Sequence, residues 1–235
     1  MFRLPSVRRP TPLIYAICCH QLNVVKLLVS LGADLKRSIY SWHPIHFAAA
    51  VRDVEILDFL LNSCPDEIEA VTDHQVLYLI FYATPLHFAV TANCVEMVIL
   101  LLSRGANVNH ANSDKETSLH MSMVLFDTQI AKILLAFGAK SESLNARKMT
   151  PLQVAQQRNN QVMIDFFNNV ASNPKLIPSK EKILKQFPVT LSVNSDSATS
   201  SITAEPAADP EAIIEHLDIL SQRLSAVEEA VGLTD

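Results

Sequence analysis

A short motif that recurs five times constrains the fold of this chain more than any other feature of its sequence. The copies start at residues 11, 43, 84, 117 and 150, so successive starts lie 32, 41, 33 and 33 residues apart. The copies are Thr11, Pro12, Leu13; His43, Pro44, Ile45, His46; Thr84, Pro85, Leu86, His87; Thr117, Ser118, Leu119, His120; and Thr150, Pro151, Leu152. A period of this length is typical of repeat proteins, in which stacked units share one continuous core.

A second apolar run follows each motif at a constant offset, from residues 24–28 in the first unit to residues 163–167 in the last. Each unit is therefore predicted to contain two short antiparallel helices. Three units then close with Gly32, Gly105 or Gly138. Glycine can take the left-handed conformation that ends a helix, so these positions mark the ends of the second helices.

Motif, period and closing glycine together resemble the ankyrin-repeat family, whose unit is a β-turn and two helices with a T-P-L-H-x-A signature. The resemblance covers about residues 6–170 and implies an all-α solenoid of helix-turn-helix units with β-turn fingers. It implies that Thr caps the first helix of a unit and that Pro fits its first turn. It also implies a structural role, rather than catalysis or metal binding, for His46, His87 and His120.

The predicted organisation has four parts. An N-terminal segment at 1–10 precedes a repeat domain at 11–170, whose five units are 11–42, 43–83, 84–116, 117–149 and 150–170. A linker rich in Pro, Ser and Thr is predicted at 171–209, with one short helical candidate at 179–186. A C-terminal amphipathic or coiled-coil helix is predicted at 210–235.

The chain departs from the family pattern between the two helices of each unit, where the family has glycine. His20, Arg52, Asn93, Phe126 and Asn159 occupy these positions, and asparagine tolerates the left-handed conformation at modest cost. Ser118 and Ser122 also replace the Pro and Ala of the motif in the fourth unit. This unit is therefore predicted to be the least stable and to open first.

Three local features leave alternatives open. The fifth unit has a polar outer face suited to a C-terminal cap, whereas the first unit presents an apolar first helix, which predicts a shielding partner or a fragment. Eight residues beyond the usual spacing separate the second and third units and include the apolar run 76–82. This run could be an exposed binding tip, could fold back onto the helices, or could be a misread coding segment.

The C-terminal helix carries an apolar seam with alternating spacings of four and three residues, which is typical of a coiled coil. The seam is Ile213, Leu217, Leu220, Leu224, Val227 and Val231. About three heptads are marginal alone, so dimerisation through the seam and packing against the repeats or another partner both stay open.

The resemblance implies a binding groove made by the turns and first helices. The matching tip positions are Tyr40, Trp42, Tyr78, Phe81, Tyr82, Asn112, Asp114, Lys115, Arg147 and Lys148. For Trp42 the alternative is a ring that covers the neighbouring helix. The predicted function is a non-catalytic scaffold or adaptor that binds a protein partner. The alternative is an oligomerising regulatory adaptor, related to transcription or ubiquitin transfer, assembled by the C-terminal helix.

Other function classes find little support in the sequence. The chain carries 19 basic and 24 acidic residues, a balance that does not favour nucleic-acid binding. Motifs for phosphate binding, metalloprotease chemistry or a nucleophile elbow are absent from the sequence, so no enzyme, cofactor or metal is predicted. The four cysteines form no C-x-x-C pair, and no secretion signal or membrane span is recognised. A cytoplasmic or nuclear location is expected.

Overall fold

The computed structural model describes residues 11–39, 42–72 and 82–187, which contain eleven α-helices and two short 3₁₀ helices. The helices are α1 Pro12–Cys18, α2 Leu22–Ser30, α3 Pro44–Ala50, α4 Val54–Ser63, α5 Pro85–Thr91, α6 Val95–Ser103, α7 Ser118–Ser122, α8 Gln129–Ala136, α9 Pro151–Gln157, α10 Gln161–Ser172 and α11 Lys180–Gln186. The 3₁₀ helices are Pro65–Glu69 and Pro174–Leu176. Across these described residues there are no strands, only the isolated bridges Ile39–Trp42 and Ala111–Thr117.

The first helix of each unit begins where the motif predicts it. Thr11 and Thr150 cap α1 and α9 with side-chain oxygens that accept the backbone N–H three residues later. Proline follows the cap in four of the five units, because the first helical position needs no N–H donor. In the second unit His43 stands at the cap instead of threonine.

The helices stack in two rows. The first helices α1, α3, α5, α7 and α9 contact one another in sequence, and so do the second helices α2, α4, α6 and α8. Between the rows lies one continuous apolar core, which runs from Leu13 to Ile183. A smaller apolar cluster consists of Ala49, Ala50, Ala83 and Phe88, with Trp42 packed against it. The all-α repeat fold predicted from the sequence is confirmed.

The turns between paired helices explain how the chain manages without the family's glycine. His20, Arg52, Asn93 and Asn159 all have φ between 51° and 63°. Phe126 does not adopt this conformation, which is costly for a bulky side chain. Helix α7 instead ends early at Ser122, and the Phe126 side chain is 84% exposed.

Residues 171–187 of the predicted linker include the end of α10 and the helix α11, which lies within the short helical candidate at 179–186. Helix α10 continues to Ser172, and α11 packs against α8. Ile183 of α11 is buried, and the Lys180 ammonium lies 5.0 Å from the centre of the Phe137 ring. The apolar residues of this short helix cover the last repeats, a tertiary contact that the Pro- and Ser-rich composition did not indicate. Residues 188–209 of the predicted linker and the whole of 210–235 lie outside the described residues.

Candidate protein-binding surface

The turn that precedes each first helix is called a finger below, and the surface made by the fingers is called the finger face. The predicted tip residues Tyr40, Tyr78 and Phe81 lie outside the described residues. Tyr82 is 41% exposed and has φ 57°, the left-handed conformation that the last residues of a tight turn often require. Because the rest of run 76–82 is not described, its three alternatives stay open.

Trp42 covers its neighbours rather than standing free. Its ring centre lies 4.6 Å from that of Phe88 in an edge-on arrangement and 5.3 Å from that of Phe47. The side chain is half-buried, and its backbone pairs with Ile39. The Trp42 ring therefore covers the neighbouring helix, as the alternative interpretation predicts. Only the exposed part of the side chain is available to a partner.

Asn112 is buried, in contrast to its prediction as a tip residue that contacts a partner. Its side-chain oxygen accepts the backbone N–H groups of Asp114 and Glu116 at 3.0 and 2.8 Å. Asn145, which the sequence analysis did not select, makes the same two bonds one unit later. Both asparagines precede the capping threonine by five residues, and this repeated spacing is the sequence signal that could have identified them.

The two asparagines shape fingers that hold charged side chains outwards. Asp114, Lys115, Arg147 and Lys148 are all exposed, as their assignment to the tips predicts. Lys115 and Lys148 have φ 55° and 59°, so each occupies a left-handed turn position. A backbone hydrogen bond of 2.7 Å from Ala146 to the Asp114 carbonyl joins the two fingers.

Glu116 lies at the base of these fingers and was not predicted as a site residue from the sequence. Burial raises the pKa of its carboxyl group, and the nearby Asp114 carboxylate adds to the rise, whereas Asn145, Arg158 and Arg147 oppose it. The Asn145 side chain donates to a Glu116 oxygen at 3.4 Å. The finger face therefore combines exposed charges of both signs with a partly desolvated carboxylate.

The three motif histidines connect each first helix to the segment that leads to the next first helix, below the finger face. Nδ1 of His46, His87 and His120 accepts the N–H of its own unit's cap residue at 2.9 to 3.2 Å. Their Nε2 atoms lie 3.0 to 3.3 Å from the carbonyl oxygens of Ala70, Glu116 and Met149, which lie in the segments that lead to the next first helix. Because a backbone N–H can only donate, Nδ1 is the acceptor and Nε2 carries the proton. All three rings are buried and have lowered pKa values, chiefly because burial disfavours the charged form.

Polar side-chain contacts between residues distant in the sequence form a further set that the sequence did not predict. His43 contacts Glu67, His110 contacts Glu69, and His20 contacts Asp53. On the second helices, Arg104 pairs with Asp58 and donates to Asn62 at 2.8 Å. These pairs join residues more than twenty positions apart, so no local sequence pattern predicts them.

Reactive chemistry has no clear site in the described part of the chain. No group of three or more His, Cys, Asp or Glu side chains is arranged to hold a metal ion within those residues. Burial, and secondarily the neighbouring Cys19, raises the pKa of the Cys18 thiol to about 12, which keeps it protonated and weakly nucleophilic at neutral pH. Within the same described ranges, the helices lack the combination of length and apolar character that crossing a bilayer demands.

Comparison with known proteins decides the family. The sequence profile described as "Ankyrin repeats (3 copies)" matches residues 3–72, 45–142 and 86–176. The chain belongs to the ankyrin-repeat family. Ankyrin repeats are in general non-catalytic modules for protein–protein interaction, and the bonding of the motif histidines agrees with their structural role in this family.

Relatives with this ankyrin region differ widely in length. The chain is similar to the ankyrin and armadillo repeat-containing protein of Mus musculus, with 31% identity over 132 residues, which are 54% of this chain and 8% of that protein. It is also similar to the ankyrin repeat protein OPG189 of Monkeypox virus, with 26% identity over 178 residues, which are 74% of this chain and 30% of that protein. The chain therefore spans less than a third of the length of either relative.

Proposed function

We propose that this ankyrin-repeat protein is a non-catalytic scaffold or adaptor that binds a partner protein through its finger face. The observation that carries the proposal is the construction of the fourth and fifth fingers. Asn112 and Asn145 hold the backbone from within, while Asp114, Lys115 and Lys148 remain exposed. A backbone held in one conformation loses little entropy when its side chains engage a partner, and this favours affinity.

The charges of the finger face favour a partner segment that carries both signs. The exposed Lys115, Arg147 and Lys148 offer donors to carboxylates, and Asp114 and Glu116 offer acceptors to a basic residue. A cation placed beside Glu116 would also favour the ionised form of a carboxyl group whose pKa is raised by burial. Complementary charges of this kind contribute more to the choice of partner and the association rate than to raw affinity.

The test compares two variants of equal charge in quantitative affinity capture from cell extract. Asp114→Lys, Lys115→Glu and Lys148→Glu together alter the finger face. Glu55→Lys, Lys175→Glu and Lys182→Glu make the same three kinds of charge change at exposed positions away from the fingers. We expect the finger variant to lose proteins that the natural chain and the control variant both retain, with unchanged circular dichroism in all three. Retention of the same proteins by the finger variant would contradict the proposal.

The oligomerising function that the sequence also predicts would depend on Ile213, Leu217, Leu220, Leu224, Val227 and Val231, which lie outside the described residues. Light scattering after size exclusion tests it on the full chain and on residues 1–193. A dimer that becomes a monomer on truncation would support this second function, and two monomers would leave the scaffold alone. The compartment, cytoplasmic or nuclear, stays a prediction.

A further inference from the structure

The second helix of the first unit exposes a stripe of apolar residues, two of which occupy positions that are largely buried in the other units. The stripe consists of Val24, Leu27 and Leu31 in and just after α2, and these residues are 42%, 57% and 74% exposed. Their spacing of three and four places them on one side of the helix. A contiguous exposed apolar surface of this kind marks an interaction site more often than chance.

The corresponding positions in the other units indicate that this stripe is a surface for packing against a neighbouring helix. The residue thirteen positions after the cap is Val24 in the first unit and is at most 1% exposed in the others, as Ile56, Met97, Ile130 and Met163. The residue sixteen positions after the cap is Leu27, whose equivalents Leu100, Ile133 and Phe166 are at most 7% exposed, while Phe59 of the second unit is half-buried. In those units the positions pack between stacked second helices. The stripe of the first unit is therefore a stacking face without a described neighbour, and it fits an amphipathic helix.

We infer that the acidic C-terminal segment, residues 210–235, covers this stacking face. Its predicted helix carries an apolar seam of the kind the face needs, including Leu217, Leu220 and Leu224. A helix that presents leucines at spacings of three and four can pack against a similar stripe by the same ridge-into-groove contacts as the neighbouring second helices.

Charge distinguishes this segment from the other two candidate occupants. The described part of the first unit carries Lys26, Lys36 and Arg37 against the single acid Asp34, so the unit has a net positive charge. The C-terminal segment has six acidic residues and one base, Arg223. Residues 1–10 carry three arginines and no acid, and a second copy would bring an equally basic face. Opposite charge therefore favours the C-terminal segment.

The chain is long enough for the segment to reach the face within one molecule. Twenty-five residues separate Phe187, the last described residue, from Ile213, where the seam begins. Extended chain spans at most roughly 80 Å over that length. Four steps between stacked helices, each about 10 Å, place the first unit roughly 40 Å from the last.

Hydrogen exchange measured by mass spectrometry on the full chain tests the inference. In the seam variant, Leu217, Leu220 and Leu224 are each replaced by Asp. In the control variant, Gln222→Asp, Ser225→Asp and Ala226→Asp add the same charge to the opposite side of the predicted helix. We expect exchange in α2 to rise at least tenfold in the seam variant and to stay unchanged in the control, with α6 unaffected in both.

Two further measurements complete the test. Synthetic peptide 209–235, added to the seam variant, should restore protection of α2, and Leu27→Asp in the same protein should prevent this. Light scattering should give a monomer for the natural chain. Equal exchange of α2 in the natural chain and the seam variant would overturn the inference, as would a dimer that dissociates in the seam variant, because the segment would then pair with its own copy.

Discussion

Acidification should destabilise this protein through the histidines that join its units. Nδ1 of His46 and of His87 accepts a backbone N–H, and Nε2 donates to a carbonyl in the segment that leads to the next first helix, so both rings must be neutral. Protonation would place a second donor against the cap N–H and a charge in the core. Burial accordingly lowers the pKa of His46 to about 3 and that of His87 to about 4, from an ordinary value of 6.5.

The size and sign of the effect follow from these pKa values. The unfolded chain binds protons on these rings below about pH 6.5, whereas the folded chain does not until about pH 4 for His87 and about pH 3 for His46. Stability is therefore lost as the pH falls through this window. Between about pH 7 and pH 5 each ring lowers the free energy of unfolding by about 2 kcal/mol, or about 4 kcal/mol together. His120 acts in the same direction.

Urea unfolding followed by circular dichroism at a series of pH values measures this loss. The matched variant is His46→Gln with His87→Gln, because Gln153 already accepts the cap N–H of Thr150 at 2.8 Å in the fifth unit. The variant should lose about 4 kcal/mol less than the natural chain between about pH 7 and pH 5, since contributions from other titrating groups cancel in the comparison. An equal loss in both proteins would refute the reasoning.

Three substitutions test separate structural assignments by urea unfolding at neutral pH. Asn160→Ala removes side-chain hydrogen bonds of 2.9 and 2.8 Å to the carbonyls of Met123 and Leu125, and it also removes the cap of α10. The free energy of unfolding should fall by about 3 kcal/mol, and a fall below about 1 kcal/mol would contradict these contacts. Gly138→Ala should lower the free energy of unfolding by about 1 kcal/mol through backbone strain alone, because φ is +91° and no atom lies within 4 Å of an added Cβ. An unchanged urea midpoint would argue against the left-handed turn. Trp42→Ala should cost about 3 kcal/mol through lost ring packing, and a negligible change would indicate a free side chain.

The candidate site was only partly accessible from sequence. Exposed charges at Asp114, Lys115 and Lys148 follow from their register in the repeat, because a finger tip has no neighbour to bury it. Asn112 shares that register, yet its side chain turns inward to bond the finger backbone. Position in the repeat alone does not distinguish the two orientations, since a short polar side chain in a turn can hydrogen-bond either to solvent or to its own backbone. Glu116 was missed because its burial and its hydrogen bond to Asn145, 29 residues away, depend on the tertiary structure.

Sequence alone determined the repeat, the helix pairs and the places where helices begin and end, because caps, prolines, glycines and apolar spacing act within a few residues. The tertiary structure decided the features that depend on residues distant in the sequence. Helix α7 ends at Ser122, and Asn160 of the next unit donates to the carbonyls of Met123 and Leu125 beyond it. Ile183 is buried, so a helix within the predicted linker packs against the repeats. The stripe at Val24 and Leu27 has the same apolar pattern as its buried equivalents. Only stacking distinguishes it from them, because burial depends on which unit lies beside a helix.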